Sequence, residues 1–506
     1  MSCKGICMRV AIIGDTHMCG SKNAPQYAFL VRAVERIRRD GVGTVINVGD
    51  ITAFGEYDAF CEYMELLREF DHHYVLGNSD VRDKETEQKL LSHAVRASFS
   101  VEGREVIGIH TPYGEVEPQD REALESLADG SIVFFHHYIR SFKRESREFL
   151  ESLLARKQLT VIHGHSHKAT DEMIGKSRVI GVRALDPDKA IGAYPTITYM
   201  DITPTDISLR EVYLDVSRRA LADVRAHMGL SCVDNHRDVA YAAAHRVGAI
   251  ELRFNGNRPL PGDELVPLLE NWRSLTSGYL SVHMPALKWK NGTLEGEERW
   301  HDALRLAVKL GANALTIHPP VAHIRDMAQG SEAWETLLGL YVEAVRAVGG
   351  GVSVGIENLH MKKGETAEDR DFGYTPTEVA AWIDSINRRL ENPNRVGHVL
   401  DVGHARNNGI YASIYPISRW YELMGRRTVA YHIHQAISTA EGMKNHQPLV
   451  DWFGPMISYV SFFFAWDGRM LNSAPIFLEV KGSEPFAASV EAFDRTFEFD
   501  NNNIER

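Results

Sequence analysis

The sequence predicts two α/β units in series: an α/β sandwich over residues 1–215 and a (β/α)8 barrel over residues 216–506. Three observations lead there. The 506 residues are too many for one hydrophobic core to organise. Up to about residue 215, apolar β-branched runs stop abruptly on Gly-Asp, Gly-Asn or His-His, with amphipathic stretches between them. Beyond that point eight strand-like runs alternate with helical ones, the pattern of a barrel in which a helix follows each strand.

Composition bounds the function. Hydrophobic residues at 44% and charged residues at 25% are those of an ordinary globular protein, with no low-complexity tract. The formal charge of -12 argues against a broad nucleic-acid-binding surface. If several acids hold divalent cations, however, roughly eight to ten of those charges are cancelled locally, and a phosphate-bearing substrate stays possible. Five scattered cysteines, Cys3, Cys7, Cys19, Cys61 and Cys232, without paired spacing, read as reduced thiols of a cytoplasmic protein. Residues Met1 to Arg9 carry no leader-like apolar segment. The apolar stretch Trp452 to Trp466 falls short of the roughly 20 residues that span a bilayer, so a buried helix or subunit contact is expected and no membrane partner.

In the first unit, Met8 to Ile13 reads as a buried strand, Ala24 to Arg39 as an amphipathic helix, and Thr44 to Val48 as a strand ending on Gly49-Asp50. A second helix is expected over Glu56 to Phe70, then a strand over His73 to Leu76 and a turn at Gly77-Asn78. A helical segment from Gln119 to Leu127 precedes the strand Ile132 to Phe135, which runs into His136-His137. Ser208 to Leu214 is the last strand before the boundary. In open α/β sheets the loops at the carboxyl ends of strands build the site, and the ionisable residues fall there. In Asp15-x-His17 and His165-x-His167, the two-residue period of extended backbone would send both side chains to one side. Asp and Asn oxygens with His nitrogens suit manganese, iron, nickel or zinc better than calcium.

The blocks Gly14-Asp15-Thr16-His17, Val48-Gly49-Asp50, Gly77-Asn78-Ser79-Asp80, His136-His137 and Gly164-His165-Ser166-His167, in that order, resemble those of the calcineurin-like metallophosphoesterases. The resemblance implies that Asp15, His17, Asp50 and His167 hold one metal ion. Asp50 would bridge to a second, held also by Asn78, His136 and His165. Two ions about 3.5 to 4 Å apart would carry a bridging hydroxide for in-line attack on phosphorus, with Asp50 and Asn78 in the catalytic set. One position departs from the family. Many members place a histidine after Gly-Asn to protonate the leaving group, and Ser79 stands here. His110, His137 and His163 are candidates to replace it, and His110 could also compete with His136 as a ligand. Without that acid, good leaving groups such as phosphodiesters or nucleotides are favoured over simple alkyl monoesters.

In the second unit, strands are expected over Met228–Val233, Ala249–Phe254, Leu280–Met284, Ala314–Ile317, Ser353–Ile356, Val396–Leu400, Val429–Ile433 and Ile476–Val480. Function in such barrels sits at the carboxyl ends of the strands. His283 ends the third strand, His318 the fourth, Glu357 the fifth, Asp401 and His404 the sixth, and Glu479 the eighth. His432 and His434 share one face of the seventh by the two-residue period. A chance distribution would scatter these groups over both ends.

These strand ends resemble the xylose-isomerase-like barrels, and within them the endonuclease IV branch, which cleaves DNA at abasic sites. That branch uses nine ligands around three zinc ions, and His283, His318, Glu357, Asp401, His404, His432, His446 and Glu479 match eight. The ninth, an aspartate in an Asp-x-His block, is replaced in Lys444-Asn445-His446. A cation there would repel a third ion, which favours two ions of zinc or manganese within a range of one to three. Sugar isomerases and epimerases of the same superfamily need only Glu357, Asp401, His432 and Glu479 around one metal, the two glutamates moving protons. The additional histidines tilt the reading toward phosphodiester hydrolysis. Three functions follow: two metal-dependent hydrolases in one chain acting on a nucleotide or nucleic-acid end; a phosphoesterase fused to a sugar or sugar-phosphate isomerase; or a phosphoesterase with a barrel that only binds substrate.

Overall fold

The computed structural model describes residues 8–82, 84–93, 97–255, 259–440 and 442–498. Cys3, Cys7 and the start of the Met1 to Arg9 stretch lie outside them. The remaining cysteines, Cys19, Cys61 and Cys232, are free thiols. The chain divides into two compact units, one of Met1–Asp215 with Ser458–Val460 and the other of Val216–Ile457 with Ser461–Arg506.

The first unit contains β1 (Met8–Ile13), β2 (Thr44–Asn47), β3 (Asp71–Tyr74), β4 (Ser98–Val101), β5 (Arg104–Gly108), β6 (Ile132–Phe135), β7 (Thr160–His163), β8 (Thr170–Ile174), β9 (Ser177–Gly181), β10 (Thr196–Ile202) and β11 (Ile207–Tyr213). Among the described residues these form two sheets, ordered β11-β10-β1-β2-β3 and β4-β5-β6-β7-β9-β8. Period-two alternation builds the sandwich. Ile132 and Phe134 of β6 join Val10, Ile12, Ile46 and Met200 in a core shared by both sheets. Val133 and Phe135 join Leu150 and Leu153 of the helix Arg144–Arg156 on the opposite face. Burying a side chain such as Phe134 contributes about 1.5–3 kcal/mol, and a one-residue slip would turn every such residue to the wrong face.

The strand expected over His73 to Leu76 lies two residues earlier, because β3 pairs with β2 in the parallel register Thr44↔Asp71 to Asn47↔Tyr74. Val75 still donates its N–H to the Asn47 carbonyl at 3.1 Å, then the chain turns away. Its apolar side chain is buried in the core rather than in the ladder, and so the hydrophobic run outlasts the strand.

The second unit is a closed parallel barrel of Met228–Ser231, Ala249–Arg253, Tyr279–His283, Ala314–Ile317, Ser353–Glu357, Val396–Asp401, Thr428–Ile433 and Ile476–Leu478. The first and eighth strands close it in the register Met228↔Ile476. Helices follow the strands for readable reasons. The helix Pro376–Arg389 starts where the Thr375 hydroxyl accepts the Glu378 N–H and proline takes the first turn, and it buries Val379, Trp382, Ile383 and Ile386 at helical spacing. The apolar stretch from Trp452 ends in the helix Val460–Asp467, with Phe462 and Phe463 fully buried. No helix among the described residues is long and apolar enough to cross a membrane.

Candidate metal centres

In the first unit β1, β2, β3, β6 and β7 each deliver at least one donor just past their carboxyl ends. Local turns set the aim. Asn47 accepts the Gly49 N–H at 2.7 Å and donates to the Tyr63 hydroxyl at 2.8 Å, which folds the chain back so that Asp50 enters the site. Gly77 must be glycine because a Cβ there would collide with the Asp50 carboxylate and the His136 ring.

The donors converge in two groups joined by one carboxylate. Asp15, His17 and His167 offer ligand atoms that lie within 4.8 Å of one another. Asn78 Oδ1 lies 3.1 Å from His136 Nε2 and 3.0 Å from His165 Nδ1, and these two nitrogens are 3.2 Å apart. Asp50 faces both groups, with Oδ2 3.2 Å from His17 Nε2 and Oδ1 3.4 Å from His136 Nε2. His136 donates Nδ1–H to the Val48 carbonyl at 3.0 Å, which leaves its Nε2 lone pair directed at the cluster. Burial opposes charge on His136, yet the Asp50 carboxylate outweighs it and pushes the imidazole up to about 9. Burial likewise opposes ionising Asp50, and His136 and His17 hold it well below the usual carboxylate range. Donors this close and this buried could hold a shared cation, and the mixed oxygen and nitrogen set fits transition-metal ions. His136, not His110, joins Asn78 and His165; His110 instead accepts the Leu76 N–H at 3.0 Å.

The way these ligands converge differs from the extended backbone expected. Asp15, His17, Asp50, His165 and His167 all have φ between 44° and 62°. Left-handed backbone at non-glycine residues is costly and concentrates at functional sites, where surrounding structure holds it in place. Asp80 supplies part of that hold: its carboxylate accepts the N–H groups of Thr52 (2.7 Å) and Gly77 (2.9 Å) and the Thr52 hydroxyl (2.9 Å). Asp80 thereby ties the Asp50 loop to the Asn78 turn. Ser79 donates its N–H to Asp50 Oδ1 at 2.8 Å and its hydroxyl to Oδ2 at 3.1 Å, so it positions the bridging carboxylate. Of the histidines considered as replacement acids, His137 is pushed down to about 3 by burial and by neighbouring His136, and His163 donates to the Gly164 carbonyl.

Asp186 joins the site with no mark in the sequence. Its Oδ2 lies 3.3 Å from His17 Nδ1, and it is itself held by Gln26 (3.1 Å) and the Asp188 N–H (2.9 Å). A carboxylate behind a ligating histidine fixes the ring and raises its basicity, and removing one costs about 10–100-fold in metal affinity or activity. Asp186→Asn is therefore expected to raise the manganese concentration that half-activates phosphoester hydrolysis by about that factor. An unchanged metal titration would show that His17 is oriented without it.

In the barrel the residues matched to the ligand set come together near Glu357, with His446 reaching Glu479 from the hairpin strand Gly442–Gln447. Glu357 Oε2 lies 2.9 Å from His283 Nε2 and 3.2 Å from His318 Nε2; its Oε1 lies 3.3 Å from His432 Nδ1 and 3.5 Å from His404 Nδ1. Glu357, Asp401, His432 and Glu479 offer donors within 4.8 Å of one another, and so do His283, His318 and Glu357. His446 Nδ1 is 3.4 Å from Glu479 Oε2. Asp401 Oδ2 and Glu479 Oε2 are buried without a hydrogen bond among the described residues, although each faces an imidazole nitrogen at 3.4–3.6 Å. That is the donor chemistry of a metal site.

Two residues of the second strand escaped the reading of strand ends. Glu251, fully buried, accepts from Ser281 (2.9 Å) and Thr316 (2.6 Å) and lies 2.8 Å from His432 Nε2. Against its burial, His432 draws its carboxyl down to about 2, so it backs that histidine as Asp186 backs His17. An acid inside an otherwise apolar strand was the available signal. Arg253, which ends the same strand, pairs with Glu479.

Comparison with known proteins follows the same division. Residues 8–190 match the calcineurin-like phosphoesterase superfamily domain, and residues 239–497 match the xylose isomerase-like TIM barrel. No curated protein matches the chain. Among solved structures, a dimetal phosphatase from Danio rerio is similar at 13% identity and a TM-score of 0.32, over 40% of this chain and 95% of that one. A D-tagatose 3-epimerase-like protein is similar at 17% identity and a TM-score of 0.39, over 55% of this chain and 100% of that one. A xylose isomerase domain protein from Planctomyces limnophilus is similar at 12% identity and a TM-score of 0.35, over 54% and 98%. With half of its length matched by the barrel model, the chain belongs to the xylose isomerase-like TIM barrel family, and it carries a calcineurin-like phosphoesterase domain ahead of that barrel.

Proposed function

We propose that this chain is a bifunctional metal-dependent hydrolase whose first unit cleaves phosphodiesters at a dinuclear centre. The observation that carries this is Asp50, whose two oxygens face two separate donor groups at 3.2 and 3.4 Å. When bound there, two ions of manganese, iron, nickel or zinc would supply an activated nucleophile and neutralise charge on the phosphoryl oxygens. The chain's own part is placement. Ser79 locks Asp50 from both sides, the Val48 carbonyl sets the His136 tautomer, and Asp186 sets His17. Because the Ser79 hydroxyl is spent on Asp50, no side chain at that position protonates the departing oxygen. Substrates with good leaving groups fit best, such as an aryl phosphodiester or a nucleotide that departs as a phosphate, before any ester that departs as a plain alkoxide.

For the barrel we favour hydrolysis of a phosphodiester as well. Four imidazoles surround Glu357, which makes it a shared ligand and a poor proton carrier for an isomerase. A sugar or sugar-phosphate isomerase is the second reading, since Glu357, Asp401, His432 and Glu479 alone could hold the single ion it needs. The test for both units uses the purified chain with manganese, nickel or zinc. An aryl phosphodiester is expected to be hydrolysed faster than the matching alkyl phosphodiester, and duplex DNA with an abasic site is expected to be cut. Equal or faster turnover of the alkyl diester would overturn the leaving-group argument. Intact abasic DNA under every metal would hand the barrel to the isomerase reading.

A further inference from the structure

Resting on the reading of the barrel as a metal-dependent phosphodiesterase, we propose that Arg253 anchors an oxyanion of the substrate beside the carboxylate cluster, and so restricts the barrel to anionic substrates. Arg253 stands level with His283 in the parallel register of the second and third strands, and two residues earlier Glu251 stands level with Ser281. Glu251 and Arg253 therefore point the same way, one layer apart. Glu251 occupies the lower layer, where Ser281 and Thr316 donate to it. In the upper layer His283 meets Glu357 at 2.9 Å. The second strand offers that layer an arginine where the third and fourth offer histidines.

The guanidinium is held in place with donors to spare. The first strand, which lies between the second and the eighth, ends at the small buried side chains of Ser231 and Cys232, and Arg253 reaches across it to pair with Glu479. Asn235 fixes the backbone, accepting the Arg253 N–H at 3.3 Å and donating to the Arg253 carbonyl at 3.4 Å. Arg253 Nε is buried with no hydrogen-bond partner among the described residues. Burial opposes the charge of the group, and the carboxylates of Glu251, Glu357 and Asp401 support it. The side chain keeps 21% exposure at the carboxyl end of its strand, the end at which such barrels take their substrates.

Glu479 cannot satisfy this arginine once it also serves as a ligand. Its Oε2 faces His432 Nδ1 at 3.6 Å and His446 Nδ1 at 3.4 Å, within the donor set of Glu357, Asp401 and His432. A cation on those donors would draw on the same carboxylate and repel the guanidinium. Arginine does not lose its proton, so the group must find another anion or remain a buried charge without a partner. Its planar fork matches two oxygens of a phosphoryl group or a carboxylate. A free sugar offers only uncharged hydroxyls and fits this site poorly, whereas a phosphoester supplies the missing charge.

The rival role for Arg253 is structural, as the counter-ion that positions Glu479. Inorganic phosphate separates the two roles without reference to any activity. It is titrated by calorimetry into the zinc-loaded full-length chain carrying Asp50→Asn, a parent in which the first centre is weakened. Adding Arg253→Met or Arg253→Gln is expected to weaken phosphate binding by about 10–100-fold, the scale of lost hydrogen bonds to a charged group, while zinc per chain by mass spectrometry stays at the parent value. Unchanged phosphate affinity, or a zinc ion lost from Arg253→Gln, would overturn the proposal, because the arginine would then serve Glu479 alone. Glutamine still offers Glu479 a donor, so that variant decides the matter even if Arg253→Met fails to fold. Acetate is titrated in the same way. Acetate bound more tightly than phosphate, and lost in Arg253→Gln, would keep the anchor and overturn the phosphodiesterase reading of the barrel. A parent chain that binds neither anion would overturn the anchor itself.

Discussion

Asp50→Asn is expected to lower phosphodiester hydrolysis by about 10³-fold or more, the scale on which loss of a preorganised charge at a transition state is felt. Asp50 is buried between two imidazoles, His17 and His136, and it is the group common to both donor sets. An amide has one acceptor oxygen and no charge, so it can serve one side only. Its NH2 would point at a nitrogen lone pair on the other. Ser79 can still donate its N–H to the remaining oxygen, and the hydroxyl can rotate to accept from the NH2, which leaves the fold in place. Metal-free Asp50→Asn should therefore still fold, melting below wild type because His136 and His17 lose their buried counter-charge, while the rise in melting temperature that manganese gives the first unit should be lost. Full turnover in this variant would remove Asp50 from the reaction and with it the dinuclear reading.

How much of this was legible follows from how each residue is specified. The strand-end donors could be read because parallel strands place whatever follows them in the same layer, and because a short apolar run ending on Asp, His or Glu is a local pattern. Asp186 had no such mark. It is one aspartate in a loop, and only the fold brings it to His17. Glu251 was marked by its cost, since a buried acid in a strand demands a partner, but the partner, His432, lies five strands away in the barrel sequence. The left-handed backbone at Asp15, His17, Asp50, His165 and His167 runs against residue preference altogether. Propensity predicts the unstrained conformation, and extended backbone was the natural expectation. His434 was visible as a face-mate of His432, yet its nearness to His404 and His446 depends on the absent side chain of Gly403 and on the hairpin that carries His446.

Glu357→Gln provides the matching experiment for the barrel. Glu357 Oε2 faces His283 and His318 and Oε1 faces His432 and His404, so the carboxylate is to the barrel what Asp50 is to the first unit. Its ionisation is held far below the ordinary range, against burial, by His432 and His318 foremost. The glutamine would put an NH2 against one pair of imidazoles and remove the charge that lets two ions approach each other. At least one ion per chain should be lost. The barrel's own reaction, scored as cleavage of abasic DNA or as isomerisation, should fall by about 10³-fold on the same electrostatic argument. Aryl phosphodiester hydrolysis should persist, because every group assigned to it belongs to residues 1–215. Should Glu357→Gln instead abolish aryl phosphodiester hydrolysis and spare metal content, the chemistry would lie in the barrel, and the division of labour between the two centres would have to be redrawn.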